Sequence, residues 1–194
     1  MKLRLEPLTV GKLDAFRALL GSPEFGGCFC AVWTSYGEDW LARCEDPAQP
    51  NFLLTQGNVR AGRHIGFLVY EAQTLVAWTG SGPKTAFPFL KTKLASRLSA
   101  FSPEIWSIGC LAVKQDFRGT GLPDRIVLAI MEEARSQGAS LLEAYPTRPF
   151  DAPRIFRGTC QLYQRLGFKE AGAETDAPHE ILLMQLPLTA AVTY

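Results

Sequence analysis

Residues 111–124 read Leu111-Ala112-Val113-Lys114-Gln115-Asp116-Phe117-Arg118-Gly119-Thr120-Gly121-Leu122-Pro123-Asp124. The apolar run from Ile105 to Val113 predicts a central strand, and Pro123 to Gln137 predicts a helix with one apolar face. The loop between them contains two glycines, whose backbone freedom lets successive N–H groups face one anion. Because a helix N-terminus adds partial positive charge, this loop predicts a pyrophosphate site. A glycine-rich turn without a ligand is the alternative.

The segments around this loop predict a single α/β domain. A strand over Leu141 to Tyr145 follows the helix, and strand–helix–strand order implies a right-handed crossover with a parallel strand pair. The other predicted elements are a strand over 2–6, a helix capped by Thr9 with the apolar stripe Leu13, Phe16, Leu19 and Leu20, short helices over 39–43 and 50–59, a hairpin of 65–70 with 75–78 ended by Gly80 to Pro83, a loop with a short helix over 84–103, a helix over 155–166, and a last hairpin from Phe168 through 179–186.

Length and charge limit the classes of function. With 194 residues, 47% of them hydrophobic, the chain is long enough for one sizeable core, so we predict one domain over 1–194. There are 20 Lys plus Arg and 19 Asp plus Glu, for a net charge of +1. This balance gives no electrostatic reason to expect a nucleic-acid or membrane partner. We expect small-molecule or peptide chemistry in a pocket, and the sequence allows a homodimer.

The N-terminus and the cysteines favour a cytoplasmic location. Residues 1–7 alternate charged and apolar side chains where a signal peptide needs an apolar run, and no stretch approaches the roughly 18 to 20 apolar residues of a membrane span. The five cysteines are scattered and odd in number, which favours reduced thiols. Cys28 and Cys30 form a Cys-x-Cys pair without a second ligand pair, because the histidines are only His64 and His179. We therefore predict no metal site.

Two segments resemble the GNAT superfamily of acyl-CoA N-acyltransferases. The family's phosphate motif, Arg/Gln-x-x-Gly-x-Gly/Ala after a strand ending Leu-x-Val, is similar to Arg118-Gly119-Thr120-Gly121-Leu122-Pro123 after Leu111-Ala112-Val113. Leu162-Tyr163-Gln164-Arg165-Leu166-Gly167-Phe168 is similar to the family's Leu-Tyr-x-x-x-Gly-Phe. The resemblance covers about residues 105–170 well and the N-terminal half only in its order of elements.

The resemblance implies a fold, a cosubstrate and a reaction. The fold is a mixed, mostly antiparallel sheet with helices on both faces, splayed between its fourth and fifth strands to admit the pantetheine arm of acetyl-CoA. The backbone of residues 111–113 would pair with that arm, and the N–H groups of residues 119–124 would hold the pyrophosphate. The acetyl group would pass directly to a neutral amine, with a backbone N–H of the fourth strand polarising the carbonyl.

The loop departs from the family pattern in ways that predict weaker cofactor binding. Pro123 has no N–H to donate, and Asp124 places a negative charge near the phosphates. We expect Arg118, Arg125 and Lys114, which are close in sequence, to offset that charge. In addition, Phe156 stands where many family members have an asparagine that contacts the cofactor arm.

The resemblance also implies two catalytic residues. Tyr163 would protonate the departing thiolate, since a phenol with a pKa of about 10 suits a thiol with a pKa of about 8.5. Glu143 interrupts an apolar interior strand, and a buried carboxylate there is costly unless paired or facing a cavity. It resembles the glutamate that ribosomal-protein N-terminal acetyltransferases use as a base. The alternatives are a packing tyrosine and a strand-edge glutamate paired with Arg148 or Arg154, while Glu104 is the second candidate base.

Other readings of the sequence stay open. A longer acyl group would need room beside Val113 and Ala144, and a non-catalytic acyl-CoA-binding or regulatory domain would explain the altered phosphate loop. Trp33, with Tyr36 and Trp40, is either an aromatic wall for the acceptor or plain core packing. We expect Cys110 and Cys160 to be small core residues.

Overall fold

The computed structural model describes residues 2–35, 41–91, 95–148, 156–176 and 179–188. Within these ranges the strands are β1 (Leu3–Pro7), β2 (Phe67–Glu71), β3 (Thr74–Pro83), β4 (Ile105–Val113), β5 (Leu141–Ala144), β6 (Thr147–Arg148), β7 (Lys169–Asp176) and β8 (His179–Pro187). The α-helices in the same ranges are α1 (Leu13–Leu20), α2 (Ala31–Thr34), α3 (Pro50–Arg60), α4 (Leu122–Ser136) and α5 (Cys160–Arg165). No helix in these ranges has the length and apolar character that a membrane crossing needs.

The strands form one mixed sheet. Its order is β1-β2-β3-β4-β5-β8-β6, with β7 added on β8. β4 and β5 run parallel on either side of the α4 crossover, and the other neighbouring strands are antiparallel. The predicted parallel pair within a mostly antiparallel sheet is therefore confirmed.

Apolar side chains cover both faces of the sheet. Along β2, Phe67 and Val69 belong to the cluster under α4, whereas Leu68 belongs to the cluster under α1, α2 and α3. Successive strand residues point to opposite faces, so the two clusters lie on opposite sides of the sheet. Phe16 on α1 is fully buried, as the predicted stripe requires, and Ile126 and Ile130 of α4 are fully buried on the other face.

β4 and β5 separate half-way along β4. Their pairing joins residues 105–108 to residues 141–144, and β4 then continues to Val113. The chain leaving β5 stays with β8 instead, because the Leu182 N–H donates to the Pro146 carbonyl over 2.9 Å and β6 also pairs with β8. This separation confirms the predicted splay between the fourth and fifth strands.

Three local predictions were wrong. β3 does not end at Gly80 but continues to Pro83, because its pairing with β4 resumes after a bulge and outweighs the local breakers. The Thr9 side chain makes no capping hydrogen bond, and a short 3-10 turn, Val10–Lys12, leads into α1. α5 begins at Cys160 instead of 155: Gly158 has a φ of +75°, and the Thr159 hydroxyl accepts from the Leu162 N–H over 3.1 Å, so the helix starts there.

Candidate active site

A β-bulge marks the point where β4 leaves β5. In the pairing of β3 with β4, Gly80 faces Cys110 and Ser81 faces Ile108, so Gly109 is the extra residue on β4. The indole of Trp33 lies on Gly109: a Cβ built there would be 2.9 Å from its Cε2 atom. Trp33 is only 3% exposed, so the bulge is closed on that side by a buried aromatic ring.

A short segment lies beside the unpaired half of β4. We call Phe156, Arg157 and Gly158 the strap. The Leu111 N–H, for which the family resemblance implies a contact with the cofactor arm, donates to the Phe156 carbonyl over 2.6 Å. The strap therefore lies in the splay, alongside the strand that the pantetheine arm was predicted to follow.

Tyr163 also contacts the strap. It is fully buried on α5, and its hydroxyl donates to the Arg157 carbonyl over 2.8 Å. A Cβ built on Gly158 would come within 2.8 Å of the same hydroxyl oxygen, so the strap needs glycine at this point. Burial raises the pKa of Tyr163 well above its usual range, which keeps the phenol protonated at neutral pH.

The loop over residues 118–121, which is predicted to bind phosphate and is called the phosphate loop below, has the geometry that its glycines predict. Gly119 and Gly121 have φ values of +73° and +77°, in the left-handed region that side chains disfavour. Gly121 is the N-cap of α4, and Leu122 is its first residue. The Thr120 hydroxyl donates to the Phe117 carbonyl over 2.7 Å, which bends the loop back on itself. The exposed turn therefore leads into the N-terminus of a 15-residue helix, as an anion site requires.

The negative charge of Asp124, beside this loop, is balanced by an arginine that the sequence did not single out. Asp124 pairs with Arg165 of α5, whose Nη2 and Nε lie 2.8 and 3.1 Å from its Oδ1 atom. Arg165 occupies a variable position of the Leu-Tyr-x-x-x-Gly-Phe motif, so sequence spacing gave no sign of this contact. Asp124 is therefore tied to the helix that carries Tyr163.

The described ion pair of Asp124 comes from Arg165 and not from the sequence neighbours that were expected to offset its charge. Arg118 turns back along the loop, where its Nε donates to the Val113 carbonyl over 2.9 Å and its Nη2 lies 2.6 Å from Glu24. Arg125 pairs with Glu71 on β2 at 2.8 Å. For Arg125 the reason is helix geometry, because it follows Asp124 directly in α4 and consecutive helical residues point in different directions.

Glu143 lies in a buried polar network. Its Oε2 atom is 3.0 Å from Lys84 Nζ, and both side chains are fully buried. The Tyr145 hydroxyl donates to the same oxygen over 2.8 Å, and the Gln185 amide donates to the other over 2.9 Å. Ser107 Oγ lies 2.8 Å from the Tyr145 hydroxyl. Both carboxylate oxygens thus have close donors.

The network is built across three strands. Ser107 of β4 faces Glu143 of β5 in the sheet register, and Glu143 faces Gln185 of β8. Burial, and then the charge of Glu143, raise the pKa of Tyr145 well above its usual range, so this phenol also stays protonated. Sequence reasoning missed Lys84, since it precedes Glu143 by 59 positions in a segment predicted as loop.

The other candidates lie elsewhere. Arg148 pairs with Glu180 at 2.6 Å, so it is not the partner of Glu143, and Arg154 lies outside the described residues. Glu104 is exposed at the start of β4. Tyr36 and Trp40, the other members of the predicted aromatic wall, also fall outside the described ranges.

All five cysteines are free thiols, none of them in a disulfide. Cys110 is buried as predicted, whereas Cys160 is only half-buried. Burial raises the pKa of the Cys28 thiol to about 12, and it raises that of Cys30 as well, where the Trp78 indole N–H donates to the sulfur over 2.8 Å. Thiols this resistant to ionisation are poor nucleophiles. No group of three or more His, Cys, Asp or Glu side chains in the described ranges is placed to hold a metal ion.

Residues 28–168 match the sequence profile of the Acetyltransferase (GNAT) family. The chain belongs to this family. The matched region runs from the loop before α2 to the end of the α5 motif, so it includes the bulge, the phosphate loop and Tyr163. Membership in the GNAT family makes an acyltransferase the expected kind of enzyme.

Solved structures share the GNAT fold at low sequence identity. A complex of AAC(6')-Ib with ribostamycin and coenzyme A has a TM-score of 0.62 with 16% identity, covering 98% of this chain and 96% of that one. An N-acetyltransferase from Staphylococcus aureus Mu50 has a TM-score of 0.56 with 15% identity, covering 97% and 100%. The ribosomal-protein-S18-alanine N-acetyltransferase from Escherichia coli has a TM-score of 0.53 with 14% identity, covering 99% of both chains. Among curated proteins, none matches the chain significantly.

Proposed function

We propose that the protein transfers the acetyl group of acetyl-CoA to a primary amine by direct attack. The observation that carries this proposal is the splay: β4 leaves β5 at residue 108, keeps the Leu111 N–H directed into the gap, and leads into a glycine loop and the N-terminus of α4. A strand edge followed by an anion site suits a cofactor with an amide-bearing arm and a pyrophosphate.

The residues present fit such a cofactor. The donors Leu111 N–H and Tyr163 O–H both hold carbonyl oxygens of the strap, the same kind of acceptor as the amide carbonyls of a pantetheine arm. We propose that the backbone of residues 111–113 binds the arm and that the N–H groups of residues 119–122 and 124 bind the pyrophosphate. Arg118 joins them when it leaves its exposed ion pair with Glu24. Pro123 contributes no N–H, and the pairing of Asp124 with Arg165 reduces the repulsion at this site.

Tyr163 is the proposed acid. Acetyl-CoA supplies an activated thioester; the amine nitrogen forms the new C–N bond as the C–S bond breaks. Tyr163, held protonated by burial, donates its proton to the departing thiolate. A backbone N–H near the bulge at Gly109 polarises the carbonyl as negative charge develops on its oxygen.

Glu143 is the proposed base, acting through water on the amine proton. In this role the proton has to reach Glu143 through neighbouring groups, because both carboxylate oxygens already have donors and the side chain is fully buried. Tyr145 and Ser107 extend the network toward the residues around the bulge and offer a route for the proton. If Glu143 is a base, Glu143→Gln lowers kcat even under conditions where the variant is fully folded, although the loss of Lys84's buried partner also lowers its free energy of unfolding.

Packing favours acetyl over a longer acyl group. Val113 is 5% exposed and Ala144 is fully buried, and both belong to the core under α4. A longer chain beside them would have to displace packed side chains, which typically costs about 1 to 3 kcal/mol. We therefore propose acetyl-CoA as the cosubstrate. We also propose a cytoplasmic location, and an amine of a small molecule or peptide as the acceptor, as the sequence predicts.

A non-catalytic acyl-CoA-binding domain is the second candidate. It is favoured by the hydrogen bond that ties the proposed acid, Tyr163, to the strap, and by the proline at position 123. In this role the protein would bind acetyl-CoA without turnover.

Binding and turnover separate the two candidates. Acetyl-CoA binding is measured by calorimetry, and CoA thiol release is followed with an amine panel that includes an aminoglycoside and a peptide with an N-terminal alanine. These two are chosen because solved relatives carry the names aminoglycoside acetyltransferase and ribosomal-protein-S18-alanine N-acetyltransferase. An enzyme shows amine-dependent release that Tyr163→Phe lowers by about 10²-fold, with acetyl-CoA affinity retained. Binding with no release, and no effect of Tyr163→Phe, would favour the non-catalytic domain.

A further inference from the structure

The strap holds two groups that the proposed reaction needs. The Leu111 N–H donates to the carbonyl of Phe156, and the Tyr163 hydroxyl donates to the carbonyl of the next residue, Arg157. Two consecutive carbonyls of the strap therefore accept hydrogen bonds from the backbone of β4 and from the side chain of Tyr163 at the same time. Two successive carbonyls held in this way imitate the amide carbonyls of a bound pantetheine arm.

Side chains fasten the strap on the other side of the splay. The Phe156 ring packs edge-on against Phe25, with 5.3 Å between the ring centres. The Arg157 guanidinium lies over the Trp33 ring, 5.6 Å from its centre, and Trp33 itself rests on Gly109 of the bulge. The strap thus reaches from the segment after α1 to the bulge in β4.

We propose that the strap occupies the place of the pantetheine arm, so that acyl-CoA binds only after the strap has left Leu111 and Tyr163. This inference rests on the proposed use of acyl-CoA, and it concerns the control of the same site. The strap competes directly with the cosubstrate, and the free chain is self-occluded.

The contacts of the strap suit a reversible occupant. Within the described residues, one backbone hydrogen bond joins it to β4, in contrast to the continuous ladder between β3 and β4. A single such bond contributes little net stability, and an aromatic pair or a cation–π contact adds a comparable amount. Gly158, with a φ of +75°, lies between the strap and α5 and can absorb a change of backbone direction without moving the helix.

Occlusion has a measurable consequence. When the binding-competent form is only a fraction of the molecules, the apparent Kd equals the intrinsic Kd divided by that fraction, so it is higher. Weakening the strap must then tighten cofactor binding, although the substitution removes packing. A strap that only supports the fold predicts the reverse.

Calorimetric titration with CoA tests the proposal on Phe156→Ala, which removes the contact with Phe25. We expect the Kd for CoA to fall by about 3- to 10-fold, the range that corresponds to the loss of one aromatic pair. Phe101→Ala, the same change at an exposed phenylalanine, is the matched control and should leave the Kd unchanged. Arg157→Ala is the second variant, with an expected fall of about 2- to 5-fold from loss of the contact with Trp33.

The outcomes separate this inference from the proposed function. If the wild type binds CoA and neither strap variant binds it more tightly, the strap is not a competitor and the inference is wrong, while the acyltransferase proposal stands. If no variant and no wild-type sample binds CoA, the proposed function fails with it. If Phe156→Ala does not fold, the Arg157→Ala titration decides.

Discussion

Replacing Lys84 by methionine should strongly destabilise the protein. Lys84 Nζ lies 3.0 Å from Glu143 Oε2, and neither side chain is exposed. Methionine has a similar length without the charge, so Lys84→Met leaves the Glu143 carboxylate buried without its cation. Removing one member of a buried ion pair costs about 3 to 5 kcal/mol. Because Tyr145 and Gln185 still donate to the carboxylate, we expect about 3 kcal/mol at pH 7.

A double variant isolates the ion pair from the loss of packing. Lys84→Met combined with Glu143→Gln removes both charges and keeps the approximate shape of the site. Since replacing both members of a buried pair is often neutral, we expect the double variant to lie within about 1 kcal/mol of the wild type. With Glu143→Gln alone as the fourth protein, the cycle gives a coupling energy that measures how much the two buried charges stabilise each other.

Urea unfolding followed by circular dichroism measures these differences. With an m-value of about 2 kcal/mol/M, a loss of about 3 kcal/mol lowers the midpoint by about 1.5 M. The m-values of the four proteins must agree for the comparison to hold. A loss below about 1 kcal/mol in Lys84→Met, or a double variant less stable than both single variants, would refute the reasoning.

Two further substitutions test the packing and the electrostatics. Gly109→Ala places a Cβ 2.9 Å from the Trp33 ring, so we expect its thermal midpoint to fall by an amount equivalent to about 1 to 3 kcal/mol. The control, Gly57→Ala, lies in a helix with open space around it and should be neutral or slightly stabilising. Equal effects of the two substitutions would contradict the close contact at Gly109. Burial lowers the pKa of His64, whose Nε2–H donates to the Ser81 carbonyl over 2.7 Å. The unfolded chain therefore takes up a proton below about pH 6.5 before the folded chain does, and stability falls as the pH drops, by at most about 1.4 kcal/mol per pH unit. Unfolding at pH 7.0 and 5.5 should show a smaller acid loss in His64→Gln than in the wild type; identical losses would show that His64 does not titrate between the two states.

The elements that local sequence determines were predicted well. β4, the glycine loop and α4 are contiguous, and their periodicity and glycines specify a strand, a turn and a helix without help from the rest of the chain. The parallel pairing of β4 with β5 followed from the crossover rule. These features place Leu111, the loop and Tyr163 in one region, and all of them lie within the residues that match the GNAT family.

The parts that depend on distant contacts were not predicted. Residues 156–159 fell within the helix predicted over 155–166, but the left-handed Gly158 and the Thr159 cap start α5 at Cys160 and leave residues 156–158 as the strap. Lys84 meets Glu143 across 59 positions, and Arg165 meets Asp124 across 41. No periodicity in the sequence reports such pairs, because they arise when separate elements pack.

A crystal structure of the protein with acetyl-CoA tests the central claim most directly. The claim predicts the pantetheine arm in the splay between β4 and β5, with the Leu111 N–H donating to one of its carbonyls and the pyrophosphate at residues 119–122. It also predicts the Tyr163 hydroxyl within hydrogen-bond reach of the sulfur, with the strap displaced from both donors. A cofactor bound elsewhere, or one bound while the Leu111–Phe156 and Tyr163–Arg157 hydrogen bonds persist, would contradict it.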